Sequence, residues 1–385
     1  MDFELSEELK MIQSLAKDFV EQQLKPLERD ILGKAADLHD AREYLPPEKE
    51  TALVKMARDM GLWGIGVPVE LGGAGLSALA VCLVEEELAG TVIPFHFGDI
   101  TPILFDCNAS QREKFLTPAI NNEKQPYLAL VEDEKCGLAN LKTKAEKAGT
   151  RYVINGKKLS FSRKNADYFA VVFANTEKGI TCFLVDKDTP GFSVKTGKSE
   201  RTGWLTQTSE PLTLKFLGCQ VSSENILGQE GKAFSLGGKW LPQRRIVRGA
   251  RCVGIARRLL EEATVRAQST ESFGQLVYRR PSTRDALADI AVTIHAARLM
   301  VWEAAAKVDA GKPIFYEAAM VKIYTARMLR LVTDQVAHIF NGPAHIDGKI
   351  MDRLCDKVRQ TTLAEVTLER QRGIIAGELL KGLKV

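Results

Sequence analysis

Apolar residues recur at helical spacing in the first third of the chain. Ser6 can cap a helix, and apolar residues follow it at steps of three and four, at Leu9, Ile12, Ala16, Phe19 and Val20. The pair Pro46-Pro47 opens a second helix, and Gly61 ends it. Two further helices are predicted at about 78–90 and 109–122. This part of the chain is therefore predicted to be helical.

The spacing changes near residue 125, where short β-branched or aromatic runs separated by turn residues replace the helical pattern. The six runs are Tyr127–Val131, Tyr152–Ile154, Tyr168–Phe173, Thr181–Val185, Phe192–Val194 and Leu212–Phe216. Asn155-Gly156 is predicted to form a hairpin turn, because this dipeptide tolerates positive φ. Together these runs predict a small antiparallel barrel or sandwich.

After Gly231 the helical spacing returns and continues to the end of the chain. Long helices are predicted at roughly 234–270, 282–310, 313–340 and 350–381. Their short connections favour an antiparallel bundle. The predicted fold class is α+β, mostly α, with three domains: N-terminal helical (1–124), middle β (125–230) and C-terminal bundle (231–385).

Composition and charge exclude some classes of function but do not identify the function. The net charge of +4 is small, and the basic residues are mixed with acidic ones, so no nucleic-acid-binding tract is predicted. No run approaches the ~20 apolar residues of a membrane span. The seven cysteines are odd in number and none has CxxC spacing, which favours a reducing compartment, and no metal site is predicted. The acidic start Met1–Glu4 carries no targeting signal, so a cytoplasmic protein is expected.

Six segments in order along the chain resemble the acyl-CoA dehydrogenase family. They are MARDMGLWGIGVPVELGGAGLS with LVEEELAG, SQREKFLTPAINNEK, AGTRYVINGKKLSFS, DTPGFSV, VSSENILGQEGKAF, and PQRRIVRGARCVGIARRLLEEA with the later SFG. The resemblance implies an acyl-CoA substrate and a dimer or tetramer built on the C-terminal bundle. It also implies FAD held between the β-domain and the bundle, and electron transfer to an electron-transfer flavoprotein.

The reaction that the resemblance implies needs a carboxylate to remove the proton alpha to a thioester carbonyl and a flavin to accept the beta hydrogen. The family's C-terminal segment reads roughly YEGTSQIQR, and Gln371-Arg372 fix its register here. Glu365 then falls on the base position, so the resemblance implies that it is the catalytic base. The other interpretation is an ordinary surface glutamate, and Val366 crowds the place where the family has a glycine.

Some relatives place the base instead just before an arginine of the first bundle helix. That position is Arg244, followed by Arg245, and an arginine stays protonated. Glu365 is therefore the inherited candidate. Arg245 matches a family arginine and is expected to support the substrate or the subunit packing near it.

The family's flavin-contacting motifs are altered. The loop T-E-P-x-A-G-S-D reads Leu130–Gly137, LVEDEKCG, whose carboxylates are expected to repel anions. The tryptophan that stacks on the flavin is replaced by Ser160, while Ser162 keeps a hydroxyl that can donate a hydrogen bond. The R-x-x-F-G motif keeps only Phe273 and Gly274.

Other flavin contacts of the family are reduced as well. The Q-x-x-G-G-x-G turn keeps only Gly342. The lost arginine of R-x-x-F-G has three basic neighbours that compensate for it or are solvated surface charges, Arg279, Arg280 and Arg284.

Three functions fit these observations. The first is a flavin-dependent acyl-CoA dehydrogenase, acting alone or as one subunit of a hetero-oligomer. The second is an inactive, acyl-CoA dehydrogenase-like interaction subunit without FAD. The third is a flavin-free enzyme that uses Glu365 for proton transfer, as in isomerisation. The first interpretation is preferred.

Overall fold

A computed structural model describes residues 4–28, 45–132, 141–162, 167–196, 210–238, 241–272, 274–340, 350–351, 354–355, 357–358 and 368–382. The N-terminal helices are α1 (Glu7–Phe19, continued by a π-helical turn), α2 (Pro47–Asp59), α3 (Ala78–Ala89) and α4 (Ala109–Gln111, Arg112–Leu116 and Thr117–Ile120). The predicted cap is confirmed, since the Ser6 hydroxyl accepts a hydrogen bond from the Leu9 N–H. The helices predicted at the two prolines and near residue 78 are confirmed as α2 and α3.

Helix α3 is buried on all sides. Every residue from Ala80 to Ala89 is buried, which is expected of a helix surrounded by others rather than lying on a surface. It packs against α1 on one side and against the first two bundle helices on the other. The helix therefore joins the N-terminal part of the chain to the C-terminal bundle.

The middle of the chain forms one eight-stranded sheet. Its strands are β1 (Gln125–Ala129), β2 (Lys144–Ala148), β3 (Arg151–Ser162), β4 (Tyr168–Thr176), β5 (Gly179–Asp186), β6 (Phe192–Thr196), β7 (Glu210–Ser222) and β8 (Ile226–Leu227). The order is β6-β7-β3-β2-β4-β5-β8, and β1 pairs with β4. Most pairs are antiparallel as predicted, but β4 runs parallel to β1 and β2.

Strand β4 is apolar on both faces because the sheet is covered on both sides. Phe169, Val171 and Phe173 lie in the core shared with the N-terminal segments. The alternate residues Ala170 and Val172 lie in a second core on the opposite face. This two-sided burial explains the uninterrupted apolar run in the sequence.

The hairpin predicted at Asn155-Gly156 is wrong. Both residues lie inside β3, where Leu217 and Gly218 of β7 face the single residue Asn155 in a β-bulge. The Asn155 side chain accepts a hydrogen bond from the Gly218 N–H, so it stabilises the bulge instead of a turn. The hairpin turn that leads into β3 lies earlier, at Gly149, where φ is +63°.

The C-terminal bundle consists of α5 (Leu241–Ser269), α6 (Pro281–Asp309), α7 (Phe315–Phe340) and α8 (Leu368–Leu380). The short strands β9 (Glu271–Ser272) and β10 (Gln275–Leu276) pair between α5 and α6. Helix α5 begins later than predicted, because a 3₁₀ turn and Gly237, at φ +62°, precede it. Within the predicted helix at 350–381, α8 is the longest segment that the structure describes.

Candidate functional site

A cavity of about 480 Å³ lies where the N-terminal helices meet α5. Its volume is within the range of small-molecule sites. Five parts of the chain line it: the segment 65–76, α3, the loop 97–105, the first turns of α5 and the end of α6.

The cavity has an apolar side and a charged side. The apolar side chains include Ile65, Val67, Val81, Phe97, Ile100, Phe105, Ile246 and Val247. The charged side is built on α5, where Arg244, Arg248 and Arg251 line the cavity at steps of four and three. Residues at these steps share one face of a helix, so α5 places these three arginines along the same side of the cavity.

Two of these arginines, Arg244 and Arg251, belong to a chain of ion pairs. Arg251 binds Glu85 of α3 through two hydrogen bonds of 2.7 and 3.0 Å, and Glu85 is nearly inaccessible to solvent. Arg251 also donates to Asp99 at 3.2 Å. Arg244 reaches the same Asp99 oxygen at 3.5 Å. Asp99 is therefore shared by two guanidiniums.

The ion pairs shift the ionisation of the cavity wall. Burial alone would raise the pKa of Asp99, but the charges of Arg244 and Arg251 outweigh it and hold that pKa well below its usual value. Burial, reinforced by the neighbouring Glu85, raises the pKa of the Cys82 thiol far above its usual value. Asp99 is thus ionised at neutral pH, and Cys82 is an unreactive thiol.

Asp309 fixes two cavity walls relative to each other. Its two carboxylate oxygens accept the N–H groups of Ala78 and Leu79 at 2.6 and 3.1 Å. The Ser77 hydroxyl accepts the next one, from Ala80. The end of α6 therefore caps the start of α3, which holds both helices in place around the cavity.

A second buried ion pair lies at the base of the loop that the resemblance associates with a flavin. Lys158 on β3 is fully buried and donates to Glu132 at 2.9 Å. Glu132 also accepts the N–H groups of Lys142 and Thr143 at 2.6 and 2.8 Å. Although burial opposes it, these donors together lower the pKa of Glu132 to about 2.

The Glu132–Lys158 pair corrects the expectation that Glu132 repels anions, whereas the expected loss of the stacking tryptophan stands. The Glu132 charge is neutralised by its donors, so this carboxylate does not repel an anionic cofactor as its sequence context suggested. The following acidic residues, Asp133 and Glu134, lie outside the described residues. Ser160, two residues beyond Lys158 on β3, is buried and offers no aromatic face. At these two described positions, therefore, Glu132 has its charge balanced by its donors and Ser160 supplies no stacking ring.

Among the described residues, none of the predicted site residues lines the cavity. Glu365, Phe273 and Gly342 lie outside it, as does the side chain of Ser162, the last residue of β3. Gly274 lies in the turn between β9 and β10 at φ +73°, with open space around its Cα.

Arg245 points to a different part of the bundle from its neighbour Arg244. It lines a much smaller cleft between α5 and α7, together with Arg248, Gly249, Cys252 and Lys322. Its support of the substrate or of the subunit packing near it stays a prediction.

The sequence interpretation missed Glu85, Asp99, Arg248 and Arg251. The arginines had a signal in their helical spacing with Arg244. Glu85 is one of three consecutive glutamates in the LVEEELAG motif, and nothing local distinguishes Asp99.

Neither a metal site nor a membrane helix is found in the described segments. They contain no group of three potential metal ligands among His, Cys, Asp and Glu. None of their helices is long and apolar enough to cross a membrane.

Three family models match the chain in succession. They are the N-terminal domain of acyl-CoA dehydrogenase at residues 6–123, its middle domain at 132–215 and its C-terminal domain at 234–380. The mitochondrial short-chain specific acyl-CoA dehydrogenase of Mus musculus is 32% identical over 99% of this chain and 92% of its own.

Solved structures show the same similarity. Butyryl-CoA dehydrogenase from Megasphaera elsdenii is 29% identical, with a TM-score of 0.81, over 99% of this chain and all of that one. A chain from a study of the electron transferring flavoprotein of Acidaminococcus fermentans is also 29% identical, with a TM-score of 0.82 and the same coverage.

Proposed function

Because this chain belongs to the acyl-CoA dehydrogenase family, we propose that it is a flavin-dependent oxidoreductase that introduces an alpha,beta double bond into an acyl-CoA thioester. The observation that carries the proposal is the cavity of about 480 Å³ at the junction of α3, α5 and the loop 97–105. Its apolar side suits an acyl chain, and its walls are fixed by Asp309 and by the ion pairs of Arg251. The three domains predicted from the sequence, 1–124, 125–230 and 231–385, are retained as part of this proposal.

Glu365 is proposed as the base that removes the alpha proton. Arg244 cannot take that role, because a guanidinium stays protonated and this one lies beside Asp99. A bound flavin supplies the acceptor for the beta hydrogen.

Four residues are proposed to contact FAD: Ser162, Phe273, Gly274 and Gly342. The Glu132–Lys158 pair would hold the base of the adjoining loop without presenting an unbalanced charge to the cofactor. Arg245 is proposed to support the substrate or the subunit packing near it.

Two kinds of partner accompany this function. We expect a homo- or hetero-oligomer formed through the C-terminal bundle, and in a hetero-oligomer a companion chain would supply the missing flavin contacts. An electron-transfer flavoprotein is the proposed electron acceptor, and the similarity to a chain from the Acidaminococcus fermentans study is consistent with it.

A second candidate function is a non-catalytic subunit of the same fold that retains no FAD. Two observations favour it. Ser160 is buried where the resemblance calls for a tryptophan. Arg244, which stands where some relatives place the catalytic base, forms an ion pair with Asp99 in the cavity wall. In this case the cavity would bind a ligand without oxidising it.

An absorbance spectrum separates the two candidates. The purified chain, with any companion subunit that co-purifies, is incubated with excess FAD, and unbound FAD is removed. Retained flavin absorbance that bleaches on addition of acyl-CoA supports the dehydrogenase, and Glu365→Gln should abolish the bleaching while flavin binding persists. A protein that retains no flavin supports the non-catalytic subunit.

A further inference from the structure

Four acidic residues line the cavity, and three of them already have their hydrogen bonds made. Both carboxylate oxygens of Glu85 accept hydrogen bonds from Arg251, at 2.7 and 3.0 Å. Both oxygens of Asp309 accept backbone N–H groups at the start of α3. Glu70 is exposed on a 3₁₀ turn, where water solvates it. The fourth acidic residue, Asp99, is different.

Asp99 has one carboxylate oxygen bound to arginines and one that is open. Its Oδ2 atom accepts hydrogen bonds from Arg251 at 3.2 Å and from Arg244 at 3.5 Å. Its Oδ1 atom accepts no hydrogen bond from the residues that the structure describes. The Asp99 side chain lines the cavity and is 33% exposed. Oδ1 is therefore an acceptor that a ligand in the cavity can use.

The open oxygen belongs to a carboxylate that stays ionised. The charges of Arg244 and Arg251 outweigh burial and hold the pKa of Asp99 well below its usual value. An ionised carboxylate accepts hydrogen bonds and cannot donate one. An acyl chain that displaces water from Oδ1 without supplying a donor leaves this acceptor unsatisfied, which is unfavourable. A chain that reaches Asp99 should therefore bind best when it carries a hydrogen-bond donor there.

The charges around Asp99 favour a donor that is itself uncharged. An ammonium group at Oδ1 would lie near Arg244 and Arg251, whose guanidiniums already bind this carboxylate, and like charges repel. A carboxylate on the ligand would be repelled by Oδ1 itself. A hydroxyl group donates to Oδ1 and adds no charge. A site that hydrogen-bonds a substrate hydroxyl also rejects the analogue that lacks it.

We propose that the acyl group bound in this cavity carries a hydroxyl group at its distal end and that Asp99 accepts its hydrogen bond through Oδ1. The inference rests on the proposed function, because it takes the ligand to be an acyl-CoA thioester. The substrate class is then that of hydroxyacyl-CoA thioesters. Asp99 determines which thioesters bind tightly, and Arg244 and Arg251 hold its carboxylate in position.

The test compares 5-hydroxypentanoyl-CoA with pentanoyl-CoA and 6-hydroxyhexanoyl-CoA with hexanoyl-CoA, so that each pair differs only in the terminal hydroxyl. Isothermal titration calorimetry on the full-length chain, with any companion subunit that co-purifies, measures the dissociation constants without requiring turnover. We expect the hydroxylated thioester of at least one pair to bind about tenfold or more tightly, as a hydrogen bond to a charged group allows. Equal binding within both pairs would overturn this inference alone.

Three variants identify the residue that is responsible. Asp99→Ala removes the acceptor and should abolish the preference, while retained binding of the unsubstituted thioester shows that the variant is folded. Asp99→Asn replaces the ionised acceptor with a neutral one of the same shape and should keep only part of the preference. The control Asp59→Asn removes an exposed carboxylate of α2 outside the cavity lining and should behave as the unmodified protein.

The outcomes separate this inference from the proposed function. A preference that survives Asp99→Ala would overturn the inference and leave the proposed function intact. If Asp99→Ala does not fold, an undiminished preference in Asp99→Asn overturns it instead. If no thioester binds to the unmodified protein, the proposed function fails and the inference fails with it.

Discussion

Glu132 and Lys158 form a buried ion pair in a region where the sequence departs from the family's flavin-contacting motif. Their side chains are 6% and 0% exposed, and each has its charge met by the other. Forming such a pair adds little net stability, but leaving one charge of it alone in the interior is costly. The pair therefore constrains this region whether or not a flavin binds beside it.

Lys158→Met is expected to lower the free energy of unfolding by about 3–5 kcal/mol, because Glu132 is left buried without its cation. Urea denaturation followed by far-UV circular dichroism measures the change. The matched control is Lys124→Met, which breaks the more accessible Lys124–Asp186 pair and should cost about 1 kcal/mol or less. Equal losses in the two variants would contradict the prediction.

The same pair should lose its stabilising effect in acid. The pKa of Glu132 falls from about 4.5 to about 2 on folding, so its contribution is present above pH 4.5 and is lost as the pH falls toward 2. A double-mutant cycle with Glu132→Gln and Lys158→Met, measured at pH 7 and near pH 2.5, isolates the coupling energy. We expect the coupling to fall at the lower pH, and a coupling that stays constant would contradict this pKa.

At the scale of elements, α3 and α5 approach each other closely at a glycine. A Cβ added at Gly254 of α5 would lie 2.0 Å from the Glu86 carbonyl oxygen of α3. The glycine is required there by the distance between the two backbones and not by a special φ. This contact sets the separation of two helices that line the cavity.

Gly254→Ala should therefore destabilise the protein by about 1–3 kcal/mol, because the helices must move apart. The control is Gly373→Ala in α8, where an added Cβ meets nothing within 4 Å. That change should stabilise the protein by about 0.5–1 kcal/mol, since alanine favours the helix. Thermal unfolding midpoints of the two variants should shift in opposite directions, and a shift of the same sign in both would refute this account of the packing.

At the scale of the whole molecule, α3 connects the N-terminal helices to the bundle through three consecutive buried glutamates. Glu85 pairs with Arg251 of α5, Glu86 with Arg298 of α6, and Glu87 with Arg257 of α5. Glu87 also accepts a hydrogen bond from Gln13 of α1. Helix α3 thus makes hydrogen bonds to elements from both ends of the chain.

Arg298→Met is expected to weaken both ends together. It leaves Glu86, which is 3% exposed, without its closest cation and should cost about 3–5 kcal/mol. Hydrogen exchange with mass spectrometry in increasing urea should show peptides of α1 and α6 losing protection at the same, lower concentration. Loss of protection confined to α6 would show that the two parts unfold independently.

Local features of the structure follow from the sequence. The Ser6 cap, the start of α2 at the proline pair and the positions of six strand runs depend on residues close together in the chain. The family could also be predicted from the sequence, because it is recognised by motifs that keep their order along the chain. The catalytic and cofactor-binding residues predicted from those motifs stay predictions.

Other features depend on contacts between distant segments. The hairpin turn predicted at Asn155-Gly156 was wrong, because Gly218 of β7 pairs with Asn155 and the two residues lie in a bulge of β3. The parallel pairing of β4 likewise depends on which strands the sheet brings together.

The sequence by itself determined where helices and strands form and in which order the three regions follow, because short-range periodicity and capping control these choices. Only the tertiary structure decided that Arg251 and Asp99, 152 residues apart, share one wall of a cavity. Their charges stabilise each other only after α3, α5 and the loop 97–105 have packed together. Because that energy exists only in the folded arrangement, the helical spacing of the arginines predicts that they share a face of α5 but not that Arg251 pairs with Asp99.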